Sequence, residues 1–77
     1  MNKDRRKRIE KCISQLEDIK TELESIRDEE QEAYDNLPDG IQMSERGDTM
    51  QECADGIDDA VNNFDDIIDA LNEVIEK

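Results

Sequence analysis

The chain has 77 residues, enough for one small domain, and its 23 acidic and ten basic side chains leave a net charge of −13. It has no histidine and only 3% aromatic residues. That composition argues against a direct nucleic-acid binder, which needs a cationic surface and stacking side chains, and the missing histidine removes the usual zinc donors.

Charged residues make up 43% of the sequence, a level that would suggest disorder in a non-periodic chain. The apolar residues, however, are strictly spaced. Lys3, Arg5, Arg6, Lys7, Arg8 and Lys11 open the chain as a basic segment with two acids among them. Ile9, Cys12, Leu16, Ile19, Leu23 and Ile26 then step by three and four, followed by a gap at Glu30 and by Ala33. This spacing predicts an amphipathic helix over residues 3–35. No apolar core of a signal peptide follows the basic start, and no stretch is long and apolar enough to span a membrane. The expectation is a soluble cytoplasmic protein with no membrane contact.

Asn36-Leu37-Pro38-Asp39-Gly40 marks a turn, expected over 36–43, because Pro38 disfavours helix at Leu37 and Asp-Gly suits a reversal. Ser44 followed by Glu45 is the expected N-cap of the second helix, with Asp39 and Gln42 as a competing cap. Met50, Cys53, Ile57, Ala60, Phe64, Ile67, Leu71 and Val74 form its stripe, predicting a helix over 44–76.

Two such helices around the one proline predict an all-α fold, a single domain over 1–77 built as an antiparallel coiled-coil hairpin. With a turn near Ile41 and Gln42, facing positions add to about 83. Ile9 then faces Val74, Cys12 Leu71, Leu16 Ile67, Ile19 Phe64, Leu23 Ala60, Ile26 Ile57 and Ala33 Met50, with Tyr34 beside Gly47 and Arg27 beside Ala54. Cys12 and Cys53 come out about 25 Å apart along the hairpin at 1.5 Å per residue, so they are expected as unbridged core thiols. The basic segment is expected beside Glu73 and Glu76. Gly56, inside the second helix, is either a tolerated defect or a point where another backbone comes close.

Ala54, Val61, Ile68 and Ile75 form a second apolar row beside this seam, joined by Ile13. A two-helix core of this size stabilises by only ~3–5 kcal/mol. The extra row is therefore expected to drive dimerisation into a four-helix bundle through Ile13, Val61, Ile68 and Ile75, or to dock on another protein. Lys20 and Arg27, which share this flank, offer their stems as an alternative cover.

The acids are ordered as well. Asp55, Asp58, Asp59, Asp65, Asp66 and Asp69 fall on the solvent side of the second helix and form the candidate surface for a basic partner protein. Asp35 to Gly40 has the look of a calcium loop, but Leu37 stands at a ligand position and Arg46 where the closing glutamate belongs. No cofactor, metal site or catalytic constellation is expected. Arg46-Gly47-Asp48 matches an integrin tripeptide only by letters.

The Asn36–Gly40 turn, Ser44-Glu45-Arg46-Gly47 and the Asp-rich heptads after it resemble small acidic helical-hairpin proteins encoded by phages and prophages of Gram-positive bacteria. The resemblance implies the cytoplasm of a bacterial host cell, where such proteins sometimes bind and disable host defence or nucleic-acid enzymes. It transfers no functional residue. The expected function is a non-enzymatic, self-associating acidic protein that binds a basic protein surface, in its sharpest form an inhibitor by nucleic-acid mimicry. The alternative is a structural coiled-coil adaptor acting through its apolar flank.

Overall fold

A computed structural model describes residues 1–77. The chain forms α1 (Lys3–Asp35), the single-turn α2 (Asp39–Gln42) and α3 (Glu45–Glu76), with no strand. α1 and α3 pack along their length into a rod of 59 × 15 × 12 Å. Asn2 caps α1, its side chain accepting from the Arg5 backbone N–H at 2.8 Å and satisfying one of the donors a helix start leaves free.

The reversal is tighter than an open loop. Asp39 belongs to α2 itself, whose N-cap is Pro38. Ser44 holds the N-cap position of α3, but its hydroxyl donates to the Ile41 carbonyl instead of accepting from α3. Gln42 ties the turn together: its side-chain amide donates to the Asp35 carbonyl at 3.3 Å and to the Tyr34 carbonyl at 3.0 Å, the latter also accepting from the Leu37 backbone N–H at the end of α1. On its other side the Gln42 backbone lies against Gly47, where a Cβ would fall 2.1 Å from the Gln42 carbonyl oxygen. Gly47 is therefore fixed by contact with the turn.

The pairing is antiparallel. Lys20 bonds Asp65, Arg27 bonds Asp58 and Gln51 bonds Gln31, pairs whose numbers add to between 82 and 85. The axial alignment expected from the sequence is close to this, but the helices are rotated about their axes relative to the expected seam. Ile13, Ala54, Val61 and Ile68 are the buried apolar residues, with Gly47. Cys12, Ile19, Ala33, Cys53 and Ile67, expected inside, are exposed, as is Ile26 at 41%. The seam consists of the seven-residue rows Ile13/Lys20/Arg27/Tyr34 on α1 and Gly47/Ala54/Val61/Ile68/Ile75 on α3. Leu16, Leu23, Ile57, Phe64 and Leu71 are half-buried along one edge of it.

The cause lies in side-chain shape. Gly47, Ala54 and Val61 present a small ridge, and Lys20 and Arg27 stand in the facing row with only about a quarter of each side chain exposed, their charged ends reaching Asp65 and Asp58. The flank that the sequence offered for self-association is thereby the hairpin's own core.

The two glycines of α3 predict opposite stability changes. Gly47→Ala forces the Gln42 backbone aside and is expected to cost about 1–3 kcal/mol. Gly56 has nothing within 4 Å of its would-be Cβ, so Gly56→Ala is expected to stabilise by about 1 kcal/mol. Urea unfolding followed by circular dichroism measures both.

Candidate functional site

The rotation gives the rod two unlike long faces. On the first, Lys20 Nζ donates to Asp65 Oδ1 at 2.5 Å and Arg27 Nη1 to Asp58 Oδ1 at 2.7 Å, while Arg27 Nε and Nη2 also reach Asp28. Gln31 and Gln51 exchange side-chain amide bonds at 3.1 and 3.4 Å. Gln31 also donates to Asp35, and Gln51 to Asp55. This polar strip closes one edge of the seam. It frames a shallow groove of about 230 Å³ lined by Arg27, Asp28, Gln31, Ala54, Asp55 and Asp58. No three His, Cys, Asp or Glu side chains converge to hold a metal ion.

The ion pairs act on their cations in the expected sense. The hydrogen bond that Lys20 donates to Asp65 raises its pKa above the ordinary 10.5, and those that Arg27 donates to Asp28 and then Asp58 raise that of Arg27.

The six candidate aspartates divide into two groups. Asp58 and Asp65 are paired with Arg27 and Lys20, and Asp55 accepts from Gln51. Asp59, Asp66 and Asp69 are exposed and make neither a hydrogen bond nor an ion pair within the chain. These three are the members free to meet a partner. The four residues expected to drive self-association sit elsewhere than predicted: Ile13, Val61 and Ile68 are buried in the hairpin and Ile75 is half-buried. Contact with another molecule through them would require opening the seam.

The second long face carries the apolar side chains that the seam does not use. Cys12, Ile19, Ile26 and Ala33 on α1 and Cys53, Ala60, Ile67 and Val74 on α3 occupy the heptad rows next to the half-buried Leu16, Leu23, Ile57 and Phe64. Because the helices are antiparallel, rows displaced in the same sense from the seam fall on the same side of the rod, opposite the ion pairs. Ile19 is 50% and Ile67 48% exposed there. Sequence reasoning found these residues but placed them inside. The strict seven-residue run Gly47, Ala54, Val61, Ile68, Ile75 was the signal that could have reversed the assignment.

The basic segment also differs from expectation. The ion pairs of the structure are Lys20–Asp65, Arg27–Asp28 and Arg27–Asp58, so no cation of residues 3–11 bonds Glu73 or Glu76. Arg6 Nε is covered without a hydrogen-bond partner. At this open end Met1, Arg5, Arg8, Ile9 and Cys12 line an apolar depression of about 310 Å³. No helix is long and apolar enough to cross a membrane.

Comparison with protein-family models, with curated proteins and with solved structures gives no match.

Lys20 supplies a pH test of the polar strip. With its folded pKa raised above 10.5, the contribution of the Lys20–Asp65 pair is full below the unfolded value and is lost as pH rises through the folded one. Lys20→Met keeps most of the apolar stem without the charge. Between about pH 10 and 12 the melting temperature of the wild type should therefore fall more steeply than that of Lys20→Met.

Proposed function

We propose that this chain is a non-enzymatic acidic interaction protein that binds a basic surface on a partner protein through the outward carboxylates of α3. In the sharper form it occupies a nucleic-acid-binding groove of a host defence or nucleic-acid enzyme and inhibits it. Its proposed setting is the cytoplasm of a bacterial host cell, as for the phage-encoded hairpins it resembles. The proposal extends to self-association of two hairpins into a four-helix bundle.

The observation that carries this function is the set of uncompensated carboxylates at Asp59, Asp66 and Asp69, on a chain of net charge −13. Aspartate is a poorer helix former than glutamate, yet it is the commoner acid on α3. Its short side chain keeps the charge close to a rigid backbone, as a fixed anionic pattern requires. The carboxylates spread along α3, eleven against one basic side chain, also favour steered, salt-sensitive association.

A second function, a coiled-coil adaptor, is favoured by the exposed Ile19, Ile26 and Ile67, since contiguous apolar surface on a small protein marks a contact. Affinity capture from a lysate of the source organism separates the two. Mimicry predicts a partner whose affinity falls at least about tenfold between 50 and 500 mM salt and with Asp59/Asp66/Asp69→Asn. Capture that survives salt and the triple variant but is lost with Ile19/Ile67→Ser overturns mimicry in favour of the adaptor.

A further inference from the structure

We infer that the apolar face bearing Cys12, Ile19, Ile26, Cys53 and Ile67 is the contact surface for a second copy of this chain, and that the two rods lie antiparallel, the turn of each at the open end of the other. This geometry presupposes the self-association proposed above and assigns it a surface, a direction and a register.

On α3 the uncharged character of the face extends past its apolar row. α3 carries eleven carboxylates, yet the row bordering Cys53, Ala60, Ile67 and Val74 is Thr49, Gly56, Asn63 and Ala70, all exposed and none charged. From Thr49 onward, two adjacent rows of α3 are thus free of charge. Solubility alone would put acids there. A side of the rod about 59 by 15 Å presents on the order of 900 Å², comparable with the ~800 Å² per partner of a standard protein interface.

Charge sets the direction. At the open end, residues 3–11 with the facing 72–77 hold seven basic and four acidic side chains, and no ion pair within the chain satisfies the basic ones. Residues 28–48, around the turn, hold eight acidic and one basic. Parallel rods would set turn against turn and basic end against basic end. Antiparallel rods place each basic end along the other's acidic turn, which a chain of net charge −13 needs if it is to associate at all. The same arrangement brings Met43, 86% exposed at the turn, to the level of the partner's apolar depression around Met1, Ile9 and Cys12.

The register follows from the length of the rod. Cys53 lies at the level of about residue 30 of α1, given the observed pairing. A two-fold axis at the middle of the rod, near Thr21, exchanges that level with the level of Cys12. Cys12 of one copy is then level with Cys53 of the other, about one helix spacing across the interface, twice per dimer, because the axis lays α1 on α1 and α3 on α3. The stacked like helices run antiparallel, and α1 of each copy runs parallel to α3 of its neighbour on the diagonal.

The two exposed cysteines make the geometry testable on the unmodified chain. Sedimentation at micromolar concentration is expected to give a dimer for the wild type and a monomer of equal helicity for Ile67→Asp. A bis-maleimide of roughly 12–16 Å reach, enough to cross one helix spacing of about 8–10 Å, should link wild-type chains into covalent dimers. Cys12→Ser and Cys53→Ser should each give none alone, because like cysteines are about 27 Å apart in this dimer. An equimolar mixture of the two variants should recover the link. A dimer in which either single variant links to itself is parallel and overturns the antiparallel geometry while leaving self-association intact. A dimer whose wild type does not link, or that persists in Ile67→Asp, overturns the surface or its register. A monomeric wild type ends both this geometry and the self-association it presupposes, and leaves the carboxylate-mediated function to its own test.

Discussion

The ridge Gly47, Ala54, Val61, Ile68 and Ile75 on α3, covered by Ile13 and by the stems of Lys20 and Arg27 on α1, is the contact on which the rest of the molecule depends. Small residues let the two helices come close. Long cationic side chains supply apolar cover at their bases and reach Asp58 and Asp65 at their tips, so one pair of rows serves both packing and charge. Both ion pairs are open to water, and their weight lies more in orienting the helices than in stabilising them. Once this ridge is inside, the neighbouring rows must be outside. A two-helix rod has one seam and cannot bury two apolar stripes on each helix.

The turn enforces the same choice from the end of the rod. Gln42 caps α1 with its side chain while its backbone rests on Gly47, so the point where α3 begins and the direction it faces are set together. A residue larger than glycine at 47 would push α3 off this contact. The reversal is thus a packed element, with one turn of helix in its middle, and it sets the phase in which the long helices meet.

Much of this architecture was legible in the chain. Seven-residue spacing identifies both helices, Asn36 to Gly40 marks the reversal, and antiparallel pairing around Ile41 and Gln42 gives an axial alignment within two units of the observed sums. The rotation was not legible. Leu16, Leu23, Ile57 and Phe64 belong to either seam, and apolarity alone favoured the row of Cys12, Ile19 and Ile26 over a row interrupted by Lys20 and Arg27. Counting hydrophobic residues misled because it scores a lysine or arginine as wholly polar, whereas most of such a side chain is hydrocarbon. For the same reason the outward direction of the acids was predictable, but not which of them Lys20, Arg27 and Gln51 would engage.

The sequence by itself determined that this protein is helical, that it reverses once, that its halves align in one axial register and that its charge is divided between a basic start and an acidic remainder. These properties depend on spacing and composition along the chain, which local backbone geometry converts directly into helix faces and a turn. Only the tertiary structure decided which of two overlapping apolar rows lies inside, and hence that Ile13, Val61 and Ile68 hold the hairpin together while Ile19, Ile26 and Ile67 face outward. The two candidate rows on each helix are neighbours around its circumference. Choosing between them depends on how closely Gly47 and Ala54 allow the helices to approach and on which carboxylates the cations can reach, distances that exist only once both helices are in place.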